Sequence, residues 1–198
     1  MKKIKTILIL MLMILTIGCE QQTRKQIAET LGRAQMKRIE KNVNSRIQEM
    51  VVPMLKYPES YQPISTDMSI VTSDMIIYDS DAFIALRDLN HAIKNFHEEY
   101  GNDSSSQAAI RELNVIQAIA DVVQDRVNVI NNRPVKFEGI DAYHQFYADD
   151  RHGHQVKKGY HFIIHKDNRI TLLCDQDEFL QVKDFIKQVI SNHNYHSI

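Results

Sequence analysis

The sequence predicts an α+β fold: an N-terminal amphipathic helix, an antiparallel sheet of about four strands, an inserted antiparallel helical hairpin and a C-terminal helix. Three observations carry that prediction. Apolar residues recur at helical steps over 27–50, 83–100, 110–130 and 179–190, the mark of helices that bury one side. Residues 60–68, 135–147 and 160–174 carry short aromatic and β-branched runs between turn residues, the mark of strands. Finally, a three-stranded meander with one helix is thin for independent stability. The stretch before the hairpin is therefore needed as a fourth strand, and the first helix as a second cover, to complete a two-layer core.

In chain order, Ile27, Leu31, Ala34, Ile39, Val43, Ile47 and Met50 form the first stripe, with Lys, Arg, Glu and Gln between them. Its apolar side is expected to pack on the domain rather than on a membrane. Pro53 should end the helix. Pro58 and Pro63 forbid helix and favour extended backbone, so Ser60 to Met68 reads as an edge strand. Tyr61 or Ile64 should then touch the C-terminal sheet. Val71 to Tyr78 is apolar, with a turn at Thr72-Ser73-Asp74.

Asp79 or Ser80 should cap a helix with the stripe Phe83, Leu86, Leu89, Ile93, Phe96 and Tyr100, closed by Gly101. Ser104 with Gln107 reads as a capping box. The next stripe is Ile110, Leu113, Ile116 or Gln117, Ala120, Val123, Val127 and Ile130. The short link makes the two helices an antiparallel hairpin whose second arm is roughly 40 Å long, so its tip should project. After Pro134, Val135 to Tyr147 alternates with a change of phase, which predicts a bulge near Gly139. A turn at Asp149–His154, a strand at Tyr160–His165, a tight turn at Lys166–Asn168 and a strand at Arg169–Cys174 follow. Asp175 and Glu178 should cap a last helix with the stripe Phe179, Val182, Ile186, Val189 and Ile190. His193 and His196 fall where the terminus should fray.

The first nineteen residues read differently. Met1 to Lys5 holds three lysines, Ile7 to Ile17 is apolar except Thr16, and Gly18-Cys19 precedes Glu20-Gln21-Gln22. A basic, then apolar, then small-residue order is a secretory signal, too short to span a bilayer as a mature helix. With a cysteine directly after the small residue, Leu15-Thr16-Ile17-Gly18-Cys19 resembles a bacterial lipoprotein signal, departing from it at Ile17, where a smaller residue is more usual. The resemblance implies cleavage before Cys19 and lipid on its sulfur and new amino group, which places the protein in the cell envelope. Glu20 stands where an aspartate would mark inner-membrane retention in some bacteria, so the expected location is the outer membrane. The organisation read from the chain is a signal peptide at 1–18, a tether at 19–25, the helix and first strand of the α+β domain at 26–78, the inserted hairpin at 79–132, and the meander and C-terminal helix of the same domain at 133–192.

A second resemblance rests on the helix, then Lys56-Tyr57-Pro58-Glu59-Ser60-Tyr61, then Pro63-Ile64-Ser65-Thr66. This stretch looks like a set of small uncharacterised lipoproteins from gut Bacteroidetes, with a Pro-x-Ser-Tyr strand, a helical pair, and a final strand meander and helix. The resemblance covers most of the chain after the signal. It implies a fold and a location, and no activity.

Composition excludes several classes. The whole chain has a formal charge of −1, which becomes −4 without residues 1–18, and no basic block points to nucleic acid. Two cysteines, one of them Cys19, rule out a disulfide framework. Cys174, in an apolar strand, reads as a small buried hydrophobe rather than a reactive thiol. The absence of tryptophan argues against an indole platform for sugars, although eight tyrosines could take its place.

Chemistry is sparse. His152 and His154 beside Asp149 and Asp150 form the best metal candidate, two imidazoles and two carboxylates on one turn, although the spacing matches no motif and a solvated hairpin tip explains it as well. His161 and His165 share a strand face about 13 Å apart, too far for one ion. They are expected outward, with Lys157 and Arg169, as a solvated face or a surface for an acidic or glycan ligand, while Tyr160, Phe162 and Ile164 point inward. No nucleophile elbow, phosphate loop or dinucleotide fingerprint occurs, and no cofactor is implied.

Three functions remain. The first is a membrane-anchored, non-enzymatic envelope lipoprotein that binds an envelope protein partner, using the hairpin or the outer sheet face. The second is a small-ligand or metal carrier using the His-rich turn and the sheet. The third, ranked last, is a hydrolase. An exposed apolar patch on the hairpin would favour the first, a concave pocket lined by Tyr143, His144, His161 or His165 the second, and a buried, hydrogen-bonded acid–base pair the third.

Overall fold

A computed structural model describes residues 22–101 and 105–194; the signal, Cys19 and Ser104 lie outside them. The described residues make an α+β fold of five helices and one antiparallel sheet. Helix α1 covers residues 22–39, α2 is Val43–Val51, α3 is Ser80–Tyr100, α4 is Gln107–Asn132 and α5 is Gln176–Asn194. The strands are β1, Gln62–Thr72; β2, Phe137–Asp149; β3, Gln155–His165; and β4, Ile170–Asp175. Their order in the sheet is β1-β2-β3-β4.

The strand before the hairpin does complete the sheet: β1 pairs along β2, from Gln62 opposite Tyr147 to Thr72 opposite Phe137. Tyr61 reaches the same sheet, with its ring 5.3 Å from that of Phe146. The register slips between Val71 opposite Gly139 and Thr72 opposite Phe137, which leaves Glu138 as the extra residue of a bulge beside Gly139. β1 runs four residues past Met68, because Ser69 to Thr72 still find partners on β2.

The main departure from expectation is the number of layers. Both faces of the sheet are covered. On one face Ile140, Ala142, Phe146, Phe162 and Ile164 pack with Ala28, Ile39, Val43, Ile47 and Val51 of α1 and α2. On the other, Cys174 lies with Phe179, Val182 and Phe185 of α5 and Phe83, Leu86 and Leu89 of α3. The sheet is therefore the middle of three layers, since the hairpin's first arm lies down on α5 and closes the face expected to be solvated.

Local chemistry explains the boundaries. The expected first helix is two, broken by a turn at 40–42, where the Asn42 N–H bonds back to the Ile39 carbonyl at 2.9 Å and asparagine is a weak helix former. Helix is already present at residue 22, inside the stretch expected to be tether. Gly32 lets α1 lie close on β1, for a side chain there would strike Ile70. Asn168, at φ 65 in the β3–β4 turn, is held from α1 and α2: Arg46 donates to its carbonyl at 2.7 Å and Arg38 to its side chain at 3.1 Å. Asp79 caps α3 through the Ala82 N–H, and Asp175 caps α5 through the Glu178 N–H. The cap of α4 is Ser106, which accepts from the Ala109 N–H.

Candidate functional site

β2 and β3 carry two buried histidines on opposite faces, each with a closed set of partners. On the α1–α2 face, His144 lies with Nδ1 2.7 Å from Thr66 Oγ1 and Nε2 2.8 Å from the Tyr61 hydroxyl. Thr66 spends its proton on Asn44 Oδ1 at 2.6 Å. It therefore accepts from His144 Nδ1–H, leaving Nε2 to accept from Tyr61. The ring is neutral in this set. Burial acts the same way, holding the imidazole's pKa below its ordinary value and raising that of the Tyr61 hydroxyl, which stays a donor. His144 is a satisfied core histidine.

On the other face, His161 Nδ1 lies 3.0 and 3.1 Å from the two oxygens of Asp141, and Nε2 lies 2.8 Å from Gln176 Oε1. The Tyr78 hydroxyl donates to Asp141 Oδ2 at 3.1 Å. Burial, then the adjacent carboxylate, pushes ionisation of that hydroxyl well upward. The imidazole stacks between Phe179, 3.8 Å between centroids, and Tyr143, 4.7 Å. Both ring nitrogens thus face acceptors, and a half-turn of the Gln176 amide would instead present a donor to Nε2.

This corrects the reading of His161 as a solvated outer residue. α5 and the turn at Ile76–Tyr78 cover its face, a tertiary event that strand periodicity does not register. His165, on the same face, is half-buried and meets Thr171 Oγ1 at 2.9 Å. Burial, then Arg169, lowers its pKa. The roles of Asp141, Tyr78 and Gln176 were missed in the sequence. Asp141 is an acid inside a strand bordered by apolar residues, and that was the available signal.

Gln176 and Tyr143 also line an open cleft of about 460 Å³, with Gln145, Lys157, Lys158, Tyr160, Asp175 and Asp177 around it. Gly159 makes room for the Tyr143 ring, since a side chain there would strike its hydroxyl. Of the four residues expected to line a pocket, Tyr143 does so here; His161 stands behind the wall, joined to it by Gln176. The chemistry available is recognition by mixed charges and tyrosine faces. Among the described residues, those lining the cleft include no serine, threonine or cysteine. Cys174 pairs across the sheet with His161, but both His161 nitrogens are engaged elsewhere. Burial, then Glu178, Asp175 and Asp141, pushes the thiol's pKa far up, away from thiolate.

The His-rich turn is organised as a turn. Asp150 Oδ1 accepts from the N–H groups of His152 at 2.8 Å and His154 at 3.0 Å. These bonds, the one to His154 first, lower the carboxyl's pKa. The two imidazoles lie 6.2 Å apart between centroids. Among the described residues no group of three or more potential ligands is gathered to hold a metal.

The hairpin exposes apolar residues among its polar ones. Val115 and Val122 are 57% and 54% exposed, with Ile84, Ile110, Leu113 and Val129 also open. Ile84 and Ala85 of α3 with Val115, Ala118, Ile119 and Val122 of α4 form a shallow groove of about 700 Å³, bordered by Asp81, Asp88 and Asn114. Of α4, Ala109 and Ile130 alone among the described residues are fully buried. The expected stripe thus fails toward the tip, where Ile110 and Leu113 face solvent.

The geometry defines an α+β protein with a sheet between helical layers and an apolar hairpin. Compared with known proteins, the chain matches no family model, no curated protein and no solved structure.

Proposed function

We propose that this is an envelope lipoprotein, anchored through lipid on Cys19 in the outer membrane, that works without catalysis by binding an envelope protein through its α3–α4 hairpin. The observation that carries the reading is the exposed groove of Ile84, Val115, Ala118 and Val122. Isolated exposed apolar residues are ordinary, but a contiguous patch on a helical pair marks an interaction surface, and an amphipathic helix is the natural shape to fill it. The buried Asp141–His161 pair speaks less strongly for hydrolysis, because aromatic rings enclose it and structural partners use both ring nitrogens.

The test is photo-crosslinking from residue 122 in the native envelope, with residue 177 at the cleft as control. A discrete protein adduct at 122 that is lost in a Val115→Asp/Ile84→Asp variant is the expected result. Adducts at 177 alone would move the function to the cleft. That second reading, a small-ligand carrier, is favoured by the wall of Tyr143, Gln176, Lys157 and Asp177. It predicts a ligand that raises Tm in the parent and not in Tyr143→Ala.

A further inference from the structure

Helix α1 has two apolar sides. One, through Ala28 and Ile39, is in the core. The other carries Ile27 and Leu31, 55% and 54% exposed, followed by exposed Ala34. Steps of four and three put these three on one face of a helix. This second stripe lies about a quarter-turn round from the buried side of the helix and is open to solvent.

The charge of this part of the chain is opposite to the charge of the rest. Residues 22–41 hold six cations, Arg24, Lys25, Arg33, Lys37, Arg38 and Lys41, against Glu29 and Glu40, in a chain whose net charge after residue 18 is −4. Beside the stripe, Ile27 and Leu31 join Phe137 in a groove of about 320 Å³ whose edge carries Arg24, Lys136 and Lys166. Lys166 also reaches Glu138 at 3.1 Å. An apolar strip edged by lysine and arginine is the pattern of a helix lying in a membrane interface, where side chains enter the headgroup boundary and cations meet anionic lipid.

The chain itself says which surface is within reach. Residue 22 is already helical, three residues after Cys19, and three extended residues span at most about 10 Å. Resting on the anchoring proposed above, a lipid on Cys19 would hold the start of α1 at a distance comparable to the Debye length, about 8–10 Å. A protein partner would need to find this face, whereas the membrane is already there.

We propose that the outward face of α1, with Lys136 and Lys166 at its side, lies on the anionic surface of the membrane that holds the Cys19 lipid, with Ile27 and Leu31 entering the headgroup region. The anchor then fixes the protein's orientation as well as its location.

The experiment uses the purified lipidated protein. Lipid blocks Cys19 and Cys174 is buried, so an environment-sensitive dye goes selectively to Ala34→Cys, or to Val122→Cys as control. The protein is reconstituted in vesicles of phosphatidylcholine, alone or mixed equally with phosphatidylglycerol. The expected result is a blue-shifted, lipid-quenched dye at 34 in the anionic vesicles, reversed by salt or by Ile27→Glu/Leu31→Glu, and a water-exposed dye at 122. A dye at 34 that stays in water in both vesicles, while the protein floats with them, overturns the orientation and leaves the anchor standing. A dye at 34 equally blue-shifted without phosphatidylglycerol overturns the electrostatic part. Intact mass reads the anchor separately: absence of lipid on Cys19 overturns the anchoring and this proposal with it.

Discussion

The sheet and the hairpin treat their apolar residues in opposite ways. In the sheet, Ile140, Phe146, Phe162 and Ile164 are fully enclosed between helical layers, each worth about 1.5–3 kcal/mol of burial. In α4, Val115, Val122 and Val129 stand in solvent, and that burial is left unrealised. The polar residues are reversed as well. The sheet buries His144, Asp141 and His161 and satisfies them, while the hairpin pairs acid and arginine at the surface, as in Arg126 with Asp81. One region encloses its apolar residues, and the other, whose α3 still packs with α5 over the sheet, leaves part of its apolar area in solvent.

Mutation should separate the two regions, most strongly at the centre of the sheet. Phe146→Ala should cost about 3–5 kcal/mol in urea unfolding. Asp141→Ala should cost less, about 1–3 kcal/mol, because it leaves His161 and the Tyr78 hydroxyl without their acceptor in the interior; a cost below about 0.5 kcal/mol would mean the network contributes little. Next comes pH. The pKa values of His144 and His165 are lowered in the fold, so below about 6.5 the unfolded chain takes up protons that the native rings resist. Their contribution is complete above that pH and is lost as pH falls toward the depressed folded values. Urea midpoints at successive pH values should fall below neutrality, and less steeply in His144→Gln; identical slopes would assign the effect elsewhere. Glu178→Gln, which breaks the partly exposed pair with Arg87, should cost about 0–1 kcal/mol. Smallest of all, Val122→Asp should change stability by no more than about 0.5 kcal/mol. A loss of several kcal/mol there would show that the groove is part of the core.

The sheet was the more legible region. Turn residues and alternation located β2, β3 and β4, and the thinness of a three-stranded meander argued for β1, because these signals are local or rest on simple packing. What could not be read was the second cover. That α5 and the Ile76–Tyr78 turn lie over His161 depends on where those elements dock, and the same alternation serves a solvated face or a buried one. The candidate site suffered most from this. His161 was visible as a residue, but Asp141, Tyr78 and Gln176 meet it from three elements distant in sequence. The break at 40–42 was hidden because the stripe continues in phase from Ile39 to Val43. On α4, Ile110 and Leu113 fit the helical period without burial, since periodicity marks an apolar face and does not say what covers it.

The most direct test of the central claim is crosslinking of the lipidated protein in its own envelope, comparing wild type with a Val115→Asp/Val122→Asp variant whose urea midpoint is unchanged. The account predicts a specific protein adduct in wild type that disappears in the variant while the protein stays in the membrane fraction. An adduct of equal yield in both would show that the hairpin groove is not the docking surface.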